Sequence, residues 1–190
     1  MTRKCPGAPT RCFSLVRSQR GALQPATEMT ADIYWIRDVG PGRLAILGRP
    51  RPGEWLADEI ADWAAAGVTD VVSLLEDFEV RETGLLEEAG LTRQAGVSLE
   101  RFPIPDRGVP VSIYATRRLW THLAEIIRGG AAVGIHCRAS IGRAGMIATG
   151  VLVELGVPLV DAWTRTSAAR GKVVPDTDQQ RIWVADAFRT

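Results

Sequence analysis

A cysteine and an arginine six positions apart carry the most chemistry in this sequence. Cys137 follows an apolar run at residues 131–135 that predicts a buried strand, and Arg143 precedes an apolar run at residues 146–155 that predicts a buried helix. A loop between a strand and a helix N-terminus directs its backbone N–H groups into one concavity, which favours an anion. Helix N-termini and nearby cations favour a thiolate, and a guanidinium matches two phosphate oxygens. We therefore interpret Cys137 as a thiolate nucleophile beneath a bound phosphoryl group.

The spacing alone is not specific, because Cys5 and Arg11 repeat it within a stretch rich in proline and glycine. That copy has no predicted strand before it and no predicted helix after it. The strand, loop and helix predicted around Cys137 therefore support the interpretation more than the spacing does. Without them, a buried core thiol is the alternative interpretation of Cys137.

Three stretches resemble the cysteine-dependent protein tyrosine phosphatase superfamily, near its dual-specificity branch. Residues 136–143 (HCRASIGR) resemble the family signature, residues 102–110 (FPIPDRGVP) its general-acid loop, and residues 174–180 (VPDTDQQ) its late glutamine-bearing segment. They occur in the expected order, and the resemblance extends over roughly residues 31–190. It implies a phosphomonoester hydrolase that works through a cysteinyl-phosphate intermediate, with no metal and no cofactor.

The resemblance assigns roles to the candidate residues. Cys137 is the nucleophile, Arg143 holds the phosphoryl oxygens, and Asp106 protonates the leaving oxygen and then activates water. His136 orients the loop through hydrogen bonds. Gln179 or Gln180 positions the water of the second step, and Gln180 is the one we assign. The phosphate is bound by the loop residues Arg138, Ala139, Ser140, Ile141, Gly142 and Arg143.

The position of Asp106 also follows from the predicted elements. It lies in a loop, residues 104–111, after a predicted buried strand, and open α/β sheets place their sites in loops at the carboxyl ends of parallel strands. A turn or capping role is the alternative for Asp106. Three carboxylates after another predicted strand are the fallback acids: Glu76, Asp77 and Glu79.

Two positions depart from the family pattern. Ser140 stands where the family usually has glycine, and Ala144 where it usually has serine or threonine. In the family that hydroxyl helps the cysteine sulfur leave, so Ala144 predicts slow dephosphorylation and an accumulating phosphoenzyme. Ser140 either adds its hydroxyl to the phosphate shell or strains the loop.

The departures leave a second hypothesis open, a weakly active or inactive phosphatase-like module that binds phosphorylated partners. A third hypothesis is a sulfur-transfer enzyme with a persulfide on Cys137. That enzyme would have no use for an acid at Asp106, and it would normally have a shorter loop.

The remaining pattern predicts an α/β fold with a mostly parallel sheet of about five short strands flanked by helices. Four predicted strands cover residues 33–36, 44–47, 71–75 and 131–135, and a fifth lies within residues 97–104. The predicted helices cover residues 55–66, 83–90, 112–129, 144–155, 158–169 and about 176–188.

Composition is typical of a globular domain, with 46% apolar and 24% charged residues among 190. A net charge of +1 argues against nucleic-acid or membrane-surface partners, and a phosphorylated protein or small phosphoester is the expected partner. Three scattered cysteines and two histidines predict no disulfide framework and no metal site, which fits a reducing cytoplasmic setting. Residues 1–30 are basic and proline-containing and predict a disordered extension, with a single domain at residues 31–190. The oligomeric state is left open.

Overall fold

A five-stranded sheet forms the centre of the structure, a computed structural model that describes residues 31–37 and 39–189. The strands are β1 (Ile33–Ile36), β2 (Arg43–Leu47), β3 (Asp70–Ser73), β4 (Ser98–Arg101) and β5 (Ala132–His136). Their spatial order is β1-β2-β5-β3-β4, in which only the β1–β2 pair is antiparallel. This confirms the predicted mostly parallel sheet of five strands. The strand before Asp106 is predicted to be buried, but β4 is an edge strand and most of its residues are exposed. The predicted extension over residues 1–30, with its Cys5–Arg11 spacing, lies outside the described residues.

Helices cover both faces of the sheet. Within the described residues they are α1 (Leu56–Ala65), α2 (Asp77–Glu82), α3 (Glu88–Gln94), α4 (Ile113–Arg128), α5 (Gly142–Glu154), α6 (Leu159–Arg170) and α7 (Asp178–Ala187). One apolar cluster joins a sheet face to α1 and α3, and a larger cluster joins the opposite face to α4, α5, α6 and α7. The α/β fold with helices flanking the sheet is therefore confirmed. None of these helices combines the length and the apolar character that crossing a membrane requires.

One predicted helix is wrong. The sequence pattern predicts a helix over residues 83–90, but α2 ends at Glu82 and α3 begins at Glu88. The helix signal lies earlier, because Glu76 and Glu79 form a reciprocal capping box that starts α2. Gly84 then takes a φ of 70°, which ends any continuation of the helix.

Strand β5 delivers consecutive side chains to opposite faces of the sheet, as extended backbone requires. The ring of His136 faces Trp63 of α1, with the ring centroids 6.0 Å apart. Cys137, the next residue, belongs to the apolar cluster on the α5 side. The nucleophile candidate and its preceding histidine therefore lie in different environments.

Candidate active site

A cavity of about 220 Å³ opens at the carboxyl edge of the parallel strands, where β5 leads into α5. Open α/β sheets bind ligands at this edge. The cavity brings Cys137, Arg143 and Asp106 together. Its lining consists of Asp106, Arg107, Cys137, Ala139, Ile141, Gly142, Arg143 and Asp176.

Cys137 lines this cavity and is only 2% exposed. The loop after it ends where α5 begins at Gly142, so the helix N-terminus points toward the cavity. The positive end of the helix dipole and its free N–H groups favour a negative charge there.

The guanidinium of Arg143 is fixed by a fork of hydrogen bonds. It is 2% exposed, and its Nη1 and Nη2 donate to the two carboxylate oxygens of Glu79 at 2.6 and 2.9 Å. Nη1 also donates to the carbonyl oxygen of Ile104 at 2.9 Å, and Nη2 to Oδ1 of Asp106 at 2.8 Å. Bidentate pairing of this kind sets the plane of the guanidinium as well as its position.

The surroundings shift the pKa values of both members of this pair. Burial alone would raise the pKa of Glu79, but hydrogen bonds from Arg143 and from the Glu76 amide, with the Arg143 charge, lower it. Burial alone would lower the pKa of Arg143, but the Glu79 hydrogen bond and the charges of Cys137, Glu79 and Asp106 raise it. Glu79 is therefore an anionic counter-ion, and it is poorly suited to donate a proton.

The other two fallback acids are also engaged elsewhere. Glu76 caps the start of α2, and Asp77 accepts a hydrogen bond from Arg101 at 2.8 Å. Neither residue lines the cavity, whereas Asp106 does. Among the predicted acids, the geometry favours Asp106.

Arg170 contacts the loop between β5 and α5, residues 137–141, which we call the phosphate loop after its predicted role. No feature of the sequence identified Arg170. Its Nε donates to the carbonyl oxygen of Ser140 at 2.7 Å, and its Nη2 donates to that of Ala139 at 3.3 Å. The guanidinium also lies over the ring of Tyr34, 4.3 Å from the centroid. Holding these carbonyls outside the loop leaves the neighbouring N–H groups to face the cavity.

Ser140 has a φ of 54°, in the left-handed region that favours glycine, and it is 1% exposed. Its hydroxyl oxygen lies 3.5 Å from the backbone nitrogen of Cys137, at the long limit of a hydrogen bond. The hydroxyl thus faces the backbone of Cys137, and Ser140 does not line the cavity. Ala144 is fully buried and offers only a methyl group.

The side chain of Arg138 turns away from the cavity to the surface. Its Nη1 and Nη2 donate to the carboxylate of Glu82 at 2.8 and 3.0 Å. Hydrogen bonding to Arg138 lowers the pKa of Glu82. Any contact of Arg138 with a phosphate in this arrangement is therefore made by its backbone N–H.

The glutamine-bearing segment, residues 174–180, contacts the loop at residues 104–111 that carries Asp106. Nε2 of Gln180 donates to the carbonyl oxygen of Gly108 at 2.8 Å. Nη1 of Arg107 lies 3.5 Å from Oδ2 of Asp176. Oε1 of the buried Gln180 has no hydrogen-bond partner among the described residues. A Cβ on Gly142 would meet this side chain, so the glycine permits the close approach. Gln179, the other candidate, is exposed.

His136 does not enter the cavity. Its ring lies on the other face of the sheet, with Nε2 2.9 Å from Oε1 of Glu88. The sequence did not single out Glu88. No group of three or more histidine, cysteine, aspartate or glutamate side chains in the described part of the chain could hold a metal ion.

Comparison with known proteins identifies the family of this chain. The family model described as "Tc-R-P: Polymorphic toxin system, DSP-PTPase phosphatase" matches residues 46–157, more than half of the chain. The curated proteins contain no match.

Solved phosphatase structures share the fold. Kinase associated phosphatase (KAP), with its catalytic-site cysteine substituted by serine, has a TM-score of 0.77 at 18% identity, over 85% of this chain and 96% of that one. The active form of Tk-PTP has a TM-score of 0.66 at 25% identity, over 82% of this chain and 97% of that one. Human DUSP28 has a TM-score of 0.59 at 20% identity, over 80% of this chain and 94% of that one. With the family model covering β5, the phosphate loop and α5, the chain belongs to the DSP-PTPase phosphatase family of polymorphic toxin systems.

Proposed function

We propose that this protein hydrolyses phosphomonoesters through a cysteinyl-phosphate, as a protein tyrosine or dual-specificity phosphatase. The observation that supports this most is the meeting of Cys137, Arg143 and Asp106 in one cavity of about 220 Å³. Family membership supports phosphatase chemistry in general. The geometry of these three residues supports the particular mechanism.

In the first step, the phosphoryl oxygens bind the loop N–H groups and the Arg143 guanidinium. Asp106 already occupies one Nη2 hydrogen of that guanidinium, so the phosphoryl group displaces its side chain toward the leaving oxygen. Released from Arg143, the carboxylate takes a proton from solvent and is then the acid of this step. The Cys137 thiolate attacks phosphorus while the bond to the leaving oxygen breaks and Asp106 gives that oxygen a proton. Fixed positive groups stabilise the charge that spreads over the phosphoryl oxygens.

In the second step, water attacks the cysteinyl-phosphate and the S–P bond breaks. Asp106, now a carboxylate, takes a proton from the water, and the sulfur leaves as a thiolate. The unpartnered Oε1 of Gln180 is suited to accept a hydrogen bond from this water. Inorganic phosphate and the regenerated thiolate are the products.

The substrates in this proposal are phosphorylated proteins or small phosphoesters. The thiol must stay reduced to act, so a reducing compartment such as the cytoplasm suits the mechanism. The family description names polymorphic toxin systems, and the proposal extends to a toxic phosphatase activity in the cells that receive or express the protein.

A phosphate-binding module without turnover is the second candidate. It is favoured by Ala144, which supplies no hydroxyl for the departing sulfur. The two candidates share phosphate binding and differ in whether product is released repeatedly.

The deciding experiment measures hydrolysis of p-nitrophenyl phosphate by the wild type, Cys137→Ser and Asp106→Asn, with Cys12→Ser and Asp161→Asn as matched controls. We expect Cys137→Ser to lower kcat by at least ~10³-fold and Asp106→Asn by ~10²-fold. The loss in Asp106→Asn should be larger with phenyl phosphate, because its leaving group needs the proton more. In expressing cells, the wild type but not Cys137→Ser should slow growth.

Full activity in Cys137→Ser would exclude the cysteinyl-phosphate. Binding of a phosphotyrosine peptide by the wild type without release of phosphate would favour the binding module.

A further inference from the structure

Four buried polar side chains gather on the face of the sheet that α1 and α3 cover. We call them the His136 cluster: Trp63, Ser73, Glu88 and His136. Three of them are fully buried and Glu88 is 3% exposed. Among the described residues, most buried side-chain polar atoms without a hydrogen-bond partner belong to this cluster.

Strand register and helix packing bring the cluster together. Ser73 of β3 pairs in register with His136 of β5, so both side chains leave the same face of the sheet. The first residue of α3, Glu88, places Oε1 2.9 Å from Nε2 of His136, although the two atoms are not aligned as in a standard hydrogen bond. Trp63 of α1 packs beside the histidine ring.

The cluster is costly for the fold. Each buried polar atom that lacks a good partner destabilises the folded state, and apolar residues of similar size often replace buried ionic pairs without loss of stability. Unsatisfied groups in a folded protein therefore call for an explanation beyond packing. One member of the cluster, His136, directly precedes Cys137 in the chain.

The backbone of His136 connects the cluster to the active site. Its carbonyl oxygen accepts a hydrogen bond from the Leu74 amide at 3.0 Å, and the Leu74 carbonyl oxygen lies 3.4 Å from Nη1 of Arg143. Cys137 is the next residue in the chain. An orientation imposed on the His136 side chain therefore fixes the backbone from which the thiol projects.

We propose that Glu88 is a positioning residue, which holds the His136 ring and thereby sets the direction of the Cys137 side chain at the base of the phosphate loop. Ser73 borders the ring from the neighbouring strand and assists. The proposal rests on the proposed function for its kinetic consequences, but the orientation of the thiol can be measured without substrate.

The test compares Glu88→Leu and Glu88→Gln with Glu87→Leu, an exposed neighbour that serves as the matched control. Four quantities are measured: kcat and KM for p-nitrophenyl phosphate, the rate of Cys137 alkylation by iodoacetamide at one fixed pH, and the melting temperature. We expect Glu88→Leu to lower kcat and the alkylation rate by ~10-fold to ~100-fold, because small displacements of a reacting group are costly. KM should stay within ~3-fold, since Arg143 and the loop amides dominate binding.

The conservative variant separates positioning from packing. Glu88→Gln keeps a carbonyl oxygen to face the ring and should retain kcat within ~3-fold. The melting temperature of Glu88→Leu should not fall, because an apolar side chain replaces a poorly satisfied carboxylate. A purely structural role would instead lower the melting temperature and leave kcat and alkylation per folded molecule unchanged.

Unchanged kcat and alkylation in Glu88→Leu, or equal losses in Glu88→Leu and Glu88→Gln, would overturn the proposal. If Glu88→Leu does not fold, Glu88→Gln and Ser73→Ala decide, with retained activity in the first and a loss of alkylation rate in the second expected. Wild-type protein without phosphatase activity would refute the proposed function alone, because the alkylation rates would still report on Glu88.

Discussion

At the residue scale, Ser140 and Ala144 determine how this phosphate loop differs from the pattern it resembles. The hydroxyl of Ser140 faces the backbone nitrogen of Cys137. The residue adopts a left-handed backbone conformation, which is unfavourable for a residue with a side chain. Ala144 packs its methyl group in the core, in the first turn of α5. Neither residue replaces the hydroxyl that assists the departing sulfur in the family.

The prediction at this scale concerns the second chemical step. Rapid mixing of the wild type with p-nitrophenyl phosphate should give a burst of nitrophenol close to one equivalent, because in the proposed mechanism we expect the cysteinyl-phosphate to be hydrolysed more slowly than it forms. Ala144→Ser should raise kcat by ~10-fold or more and shrink the burst, since one well-placed hydrogen-bond donor stabilises the departing thiolate. Ala148→Ser, one turn further along α5, is the matched control and should leave both quantities unchanged. Rapid turnover by the wild type with no burst would show that the missing hydroxyl does not limit the rate.

The residues that the sequence could identify are those whose chemistry and spacing are local. Cys137 and Arg143 lie within one loop, and Asp106 follows a predicted strand, so the three could be predicted without knowing the packing. Arg170 contacts carbonyl groups about thirty positions away, and only the packing of α6 brings it there. The position of Glu88 beside His136 could not be predicted either, because it depends on the packing of α3 against the sheet.

At the element scale, helix α2 is tied to helix α5 by the buried pair of Glu79 and Arg143. The sequence placed Glu79 among the fallback acids, because a carboxylate after a strand fits that role. The fold instead starts α2 with Glu76 and Glu79, which turns the Glu79 side chain inward. The misplaced helix over residues 83–90 and the misjudged role of Glu79 therefore have one cause, the unrecognised capping box.

The pH dependence of stability tests this pair. The pKa of Glu79 in the folded protein lies below its ordinary value of 4.5, so its contribution to stability is present above that pH and is lost as the pH falls through the folded value. Glu79→Gln should cost ~3 kcal/mol in urea unfolding at pH 7, because it removes the buried carboxylate that pairs with both Nη groups of Arg143 and leaves that charge only the partly exposed Asp106. The difference from wild type should shrink steadily below pH 4.5.

The exposed Glu82 of the same helix provides the control for that measurement. Glu82→Gln removes a surface ion pair with Arg138 and should change the free energy of unfolding little, both at pH 7 and in the acid range. A Glu79→Gln difference that persists undiminished into the acid range would mean that the carboxylate is not the source of the coupling.

At the scale of the whole molecule, the site is assembled from distant parts of the chain. Helix α2 supplies Glu79, the loop after β4 supplies Asp106, α6 supplies Arg170 and α7 supplies Gln180, all around the loop that follows β5. The prediction of the sheet fixed which strand ends meet, so the general location of the site followed from the sequence. The contacts that hold these segments together could not be predicted from the sequence, because they depend on tertiary packing.

A ligand that binds this assembly should therefore stabilise the fold as a whole. Inorganic phosphate at about 100 times its dissociation constant should raise the free energy of unfolding of the wild type by ~2.7 kcal/mol, which a melting curve detects. Arg143→Lys should show a smaller shift, because a lysine cannot hold two phosphate oxygens in a fork, while the exposed Arg93→Lys should behave as wild type. Asp106→Asn should show a larger shift at the same phosphate concentration, since it removes the carboxylate that occupies Nη2 of Arg143 and repels the anion. Equal shifts in all four proteins would mean that phosphate binds outside this cavity. Phosphate binding at this site would then not stabilise the fold.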